Sequence, residues 1–168
     1  MSSYADLYTT DVEPDAHRAD IGARTRFYWQ CRHHVPLMWL ALFERTDLVM
    51  LPYRQDEPDE AWPFLVGRID AGLQRLQRRM PSIAAAFPGI DATQFAADFS
   101  GDLVRARQRF VVLDSGAIGQ MSTDRIGWRA ELDRMVASAC EDDWSAYLCS
   151  FPAEHLDTDD DREQYFIG

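Results

Sequence analysis

The chain contains no lysine at all, so its 17 basic residues are all arginine. We read that as a compositional bias, although arginine also forms the better bidentate ion pairs. With no lysine, and neither G-x-G-x-x-G nor G-x-x-x-x-G-K-[ST] anywhere in the sequence, no recognisable phosphate loop can be built. Cysteine is equally sparse. Cys31, Cys140 and Cys149 are odd in number and lack paired spacing, which argues for reduced thiols over a disulfide framework. No apolar run approaches the ~20 residues of a membrane span. Residues 1–20 are acidic, unlike a secretory leader. The expectation is a cytoplasmic protein of 168 residues with one hydrophobic core, residues 1–168 forming a single domain.

Positive charge is also in short supply, with 28 acidic residues giving a net charge of −11. Such a chain repels nucleic acid, whose binding needs basic side chains to displace counterions. The same field speeds encounter with a basic protein. The excess gathers at the C-terminus: Glu141, Asp142, Asp143, Glu154, Asp157, Asp159, Asp160, Asp161 and Glu163 face a single Arg162. Trp144, Tyr147, Phe151, Tyr165 and Phe166 are threaded through them, and aromatic residues in that setting need a surface to bury them. Residues 152–168 read as an extended acidic segment that meets a basic partner, while residues 144–151 read as packing on the domain.

The patterning predicts an α+β fold, predominantly α-helical, with four to five helices and a few short strands. Residues 4–10 (Y-A-D-L-Y-T-T) read as a first strand. Residues 25–43 read as two helical pieces broken near Val35 by Pro36, and the second piece is apolar on nearly every side. Residues 48–53 form a short strand ending at Pro52. Trp62, Leu65, Val66, Ile69, Leu73, Leu76 and Met80 share one helical face, with Arg68, Arg75, Arg78 and Arg79 projecting elsewhere as a solvated set. Pro81 ends or kinks that helix. Asp91 and Gln94 resemble a capping box for a helix ending near Gln108. Residues 110–113 read as a strand, with residues 117–121 returning as its hairpin partner. Ser122 or Thr123 caps a last long helix whose buried side is Trp128, Leu132, Met135, Val136, Ala139 and Cys140, and residues 143–151 add one short helix.

Chemistry-bearing patterns are thin. Cys31, Arg32, His33 and His34 cluster, but zinc needs three or four ligands and no second pair is present, so no metal or cofactor is expected. Ser115 follows a predicted strand, yet Leu113 and Ala117 stand where a nucleophile elbow has glycines; a turn explains Asp114, Ser115 and Gly116 better. Carboxylates are too common here to point to acid–base catalysis. No enzyme is expected.

The order of Y-A-D-L-Y-T-T, V-P-L-M-W-L-A-L-F and F-L-V-G-R-I-D-A-G-L-Q-R-L, closing on D-D-D-R-E-Q-Y-F-I-G, resembles small bacterial immunity proteins found beside type VI or polymorphic toxins. The resemblance covers most of the chain. It implies an antitoxin that binds a cognate secreted effector with a basic active-site cleft and occludes that cleft. From the charge pattern, Asp142, Asp143, Asp157, Asp159, Asp160, Asp161, Glu163, Tyr165 and Phe166 are the expected partner-binding residues. The alternative is a small enzyme or ligand-binding domain with a pocket near Cys31, His33 and His34.

Overall fold

The computed structural model describes residues 4–12, 27–52, 60–88, 90–122 and 124–144. Its scaffold is a five-stranded, wholly antiparallel sheet built from β1 (Tyr4–Thr10), β2 (Tyr28–Arg32), β3 (Leu48–Pro52), β4 (Ala61–Arg68) and β5 (Phe110–Asp114). The strand order is β2-β1-β5-β4-β3. Among the described residues β5 is the last strand in sequence, yet it is the central one, and within the sheet it joins the β1–β2 pair to the β3–β4 pair. Among the described residues five helices accompany the sheet: α1 (Leu37–Leu40), α2 (Ile69–Ala86), α3 (Ala92–Ala106), α4 (Gly116–Ser122) and α5 (Arg125–Cys140), with a 3₁₀ turn at Arg45–Asp47. The fold is α+β, and the expectation of a predominantly helical chain with a few short strands is overturned by this sheet.

Two strands account for the difference. Residues 62–68 belong to β4, although their apolar spacing continues the face of the helix that follows. β4 lies beside the central strand and is buried on both faces, with Phe64 and Leu65 both fully covered, so it lacks the alternation that marks a half-exposed strand. The helix begins only at Ile69, where the register ends with Arg68 opposite Phe110. Residues 28–32 form β2, where an aromatic segment reads as helix in sequence; Tyr28, Gln30 and Arg32 point outward and Cys31 inward.

α2 and α3 form one helical excursion between β4 and β5, and Ile69 N–H donates to Arg109 O at 2.9 Å where the chain returns. α2 passes through Pro81 without ending, because Pro81 is on the solvent side and the carbonyl it leaves without a helical donor, that of Gln77, is on an exposed residue. α3 is capped by Asp91, whose Oδ1 accepts from Gln94 N–H; the Gln94 side chain turns to Asp98 instead of completing the box. Residues 117–121, expected as a hairpin strand, lie in α4. Asp114 Oδ1 accepts from Gly116 N–H, and Ser115 O accepts from Ile118 and Gly119, which starts a helix directly off the strand. α5 is capped by Asp124, accepting from Gly127 N–H at 2.8 Å, and not by Ser122 or Thr123.

The core draws on both faces of the sheet: Val111, Val112 and Leu113 of the central strand are all sealed from solvent. Trp29 stacks near Phe99 of α3, with ring centroids 5.2 Å apart, and Trp128 of α5 donates its indole N–H to Ser115. Leu7, Leu113, Leu132, Val136, Leu76 and Ile83 are essentially sealed from solvent. Leu73 is only half-buried. α1 is buried on all sides, as its composition predicts.

Arginine–carboxylate pairs tie these elements together at the rim. Arg75 reaches Asp47 and Glu44, Arg78 reaches Glu44, and Arg45 grips Asp133 with two hydrogen bonds of 3.0 and 2.7 Å. The hydrogen bond from Arg45 is the main reason the Asp133 carboxyl is held below its usual range. A depressed carboxylate contributes stability above its unfolded pKa, ~4, and loses it as pH falls through the folded value. Asp133→Asn should therefore cost about 0.5 kcal/mol at pH 7, the scale of a solvent-screened pair, with the difference closing in acid. Chemical denaturation of both proteins across pH checks this.

Candidate functional site

The acidic face starts where α5 ends. Glu141 caps the helix, Asp142 adopts the left-handed conformation at φ 56°, and Asp142 and Asp143 donate their N–H groups to Ala139 O and Ser138 O. These paired bonds close the helix in the Schellman manner and turn the chain out. Glu141, Asp142 and Asp143 are all exposed. They sit at the negative end of the α5 dipole, and α5 has no basic residue in its last turn, so the arrangement works against helix stability.

Asp142 is partly committed to the fold, since its Oδ1 accepts from Ser82 Oγ at 2.8 Å. The same hydroxyl accepts the Trp144 indole N–H at 3.1 Å. Trp144 is buried, so it is a core residue and not a partner-facing one. Asp157, Asp159, Asp160, Asp161, Glu163, Tyr165 and Phe166 lie outside the described residues, as do residues 145–151. Of the predicted partner set, the structure thus places Asp142 and Asp143 side by side on one exposed helix end.

The alternative cluster resolves differently. β2 ends at Arg32, His33 takes a left-handed turn at φ 68°, and His34 folds back over Cys31. His34 Nδ1 lies 3.0 Å from Arg32 O, which can only accept, so Nδ1 carries the proton and Nε2 is left as an acceptor. Cys31 Sγ is 3.2 Å from that Nε2. Burial pushes the Cys31 thiol up to about 12, so the sulfur against His34 is a protonated thiol and not a thiolate. His33 is exposed and takes no part in the Cys31–His34 contact. Among the described residues no group of three or more His, Cys, Asp or Glu could hold a metal ion.

On the outer sheet edge, Tyr28 O–H donates to Asp6 Oδ1 at 2.7 Å, and Gln30 bridges both. Burial, followed by that bond, raises the Tyr28 phenol to about 12. The network fixes the β1–β2 register and leaves Tyr28 half-exposed.

One charged residue escaped the sequence reading. Arg79, expected on the solvated face, is buried. The signal was present: Gly72, Leu76, Arg79 and Ile83 step by four, three and four, which is the buried stripe of α2.

Comparison of the chain with protein-family models, with curated proteins and with solved structures gives no match. No helix among the described residues is long and apolar enough to cross a membrane.

Proposed function

We propose that this protein is a cytoplasmic immunity protein that binds a cognate secreted toxin and blocks a basic active-site cleft with its acidic C-terminal side. The observation that carries this reading is how charge is distributed. Arg45, Arg68, Arg75, Arg78, Arg105 and Arg134 each pair with a carboxylate of the folded body. The C-terminal excess begins at Glu141, Asp142 and Asp143, on a helix end where carboxylates lower stability. A cost of that kind is expected where a surface serves a partner.

In this mechanism the carboxylates steer encounter and set specificity, standing in for the phosphates of a polyanionic substrate, while Tyr165 and Phe166 supply contact area. The carboxylates to be tested are Asp142, Asp143, Asp157, Asp159, Asp160, Asp161 and Glu163. The rival reading, a ligand-binding or catalytic domain around Cys31 and His34, draws on their 3.2 Å contact. The protonated, buried thiol supplies no activated nucleophile.

Co-expression with the product of the adjacent gene tests the proposal. A stoichiometric complex and restored growth are expected. Failure of both would end it.

A further inference from the structure

Arg79 is 2% exposed, and its guanidinium sits where α2, α5 and the turn after α1 meet. Nη1 donates to Ala41 O and Phe43 O, each at 2.8 Å, and so closes the turn that leaves α1. Nη2 donates to Cys140 Sγ at 3.3 Å. No described carboxylate forms an ion pair with it, although Arg75 and Arg78 on the same helix both have one. Burial accordingly weakens the hold of Arg79 on its proton. The Glu44 charge favours the cation from a distance, but its contacts are two neutral carbonyls and a sulfur, so it lacks the contacting anion that a buried charge requires.

Cys140 is the last residue of α5 and is exposed, and its sulfur accepts from the buried guanidinium. The contrast within the chain is Cys31, which is buried and lies against His34.

We propose that Cys140 is an oxidative modification site whose anionic product is recognised by the buried guanidinium of Arg79. The oxidant is a hydroperoxide. The sulfur attacks one peroxide oxygen, an S–O bond forms as the O–O bond breaks, and the thiol proton leaves with the second oxygen, so that Cys–SH and H₂O₂ give Cys–SOH and H₂O. A second equivalent gives the sulfinic acid and another water. That acid is an anion at neutral pH, and it supplies the counterion Arg79 lacks. Oxidation then tightens the junction of α1, α2 and α5 from which the acidic C-terminal side departs.

Hydrogen peroxide treatment of the full-length folded protein, followed by peptide mass mapping, tests the site. Cys140 is expected to gain two oxygens at least about tenfold faster than Cys31, following the difference in access. Cys140→Asp, which carries a fixed anion at the same place, is expected to melt about 2–4 °C above Cys140→Ser, the shift of roughly one ion pair in a chain of this size, because contact with Arg79 outweighs the unfavourable end of the α5 dipole. Equal oxidation of Cys140 and Cys31 in the folded state would overturn reactivity at this site. A Cys140→Asp protein no more stable than Cys140→Ser would overturn recognition by Arg79, and this comparison requires no change to Arg79 itself.

Discussion

Trp128→Ala is expected to lower the unfolding free energy by about 3–5 kcal/mol, near the upper end for a single substitution. The indole is nearly sealed from solvent and lies against Gly119 of α4. A Cβ built at Gly119 would come within 2.4 Å of the ring carbons, so the two helices close on each other at this point with no room to spare. The indole N–H also donates to Ser115 Oγ at 3.1 Å, and Ser115 is fully buried at the end of the central strand. Truncation would open a cavity and strand a buried hydroxyl. Trp128→Phe keeps most of the volume and should cost about 1–2 kcal/mol, chiefly for the lost bond. Urea unfolding followed by far-ultraviolet circular dichroism measures both. A loss below about 1 kcal/mol for the alanine protein would mean that α5 is not anchored through this ring. Leu73→Ala should cost less than Trp128→Ala, because Leu73 is only half-buried.

The second large effect is kinetic. Replacing Asp157, Asp159, Asp160 and Asp161 together by Asn is expected to slow association with the proposed basic partner about 10- to 100-fold at low ionic strength, the range over which electrostatic steering acts. Stability should be nearly unchanged. The gap between the two proteins should narrow toward physiological salt, where the screening length is ~8 Å. Rapid-mixing measurements across ionic strength read this directly. Tyr165→Ala and Phe166→Ala should instead raise the dissociation rate, since apolar anchors act after encounter. Unaltered association rates at low salt in the four-Asn protein would remove these carboxylates from the interface.

Much of the fold is readable locally. Tyr4–Thr10, Leu48–Pro52 and Phe110–Asp114 are strands because short β-branched and aromatic runs end at turn residues or proline. Ala92–Ala106 is a helix because Asp91 caps it and its apolar residues keep a 3.6-residue period. The buried side of Arg125–Cys140 was likewise legible through Ala139; only Cys140, at the helix end, turned out exposed.

The misreadings have one cause. In residues 62–68 the apolar spacing suits a helix face as well as a strand sealed on both sides, and only the neighbours β3 and β5 decide between them. Residues 28–32 became a strand by pairing with β1, 20 to 28 positions away. Cys31 and His34 do meet, as their spacing of three suggested, but through a left-handed turn at His33 and not along a helix.

By itself, then, the sequence determined the acidic excess, its concentration at the C-terminus, the lack of a recognisable catalytic pattern and those elements whose signals are local. Tertiary structure alone decided that a five-stranded sheet is the scaffold, that residues 28–32 and 62–68 are strands of it, and that Arg79 meets Cys140. The physical reason is that strand pairing and the meeting of two side chains 61 positions apart depend on contacts between residues far apart in the chain, and local periodicity carries no record of which partners meet.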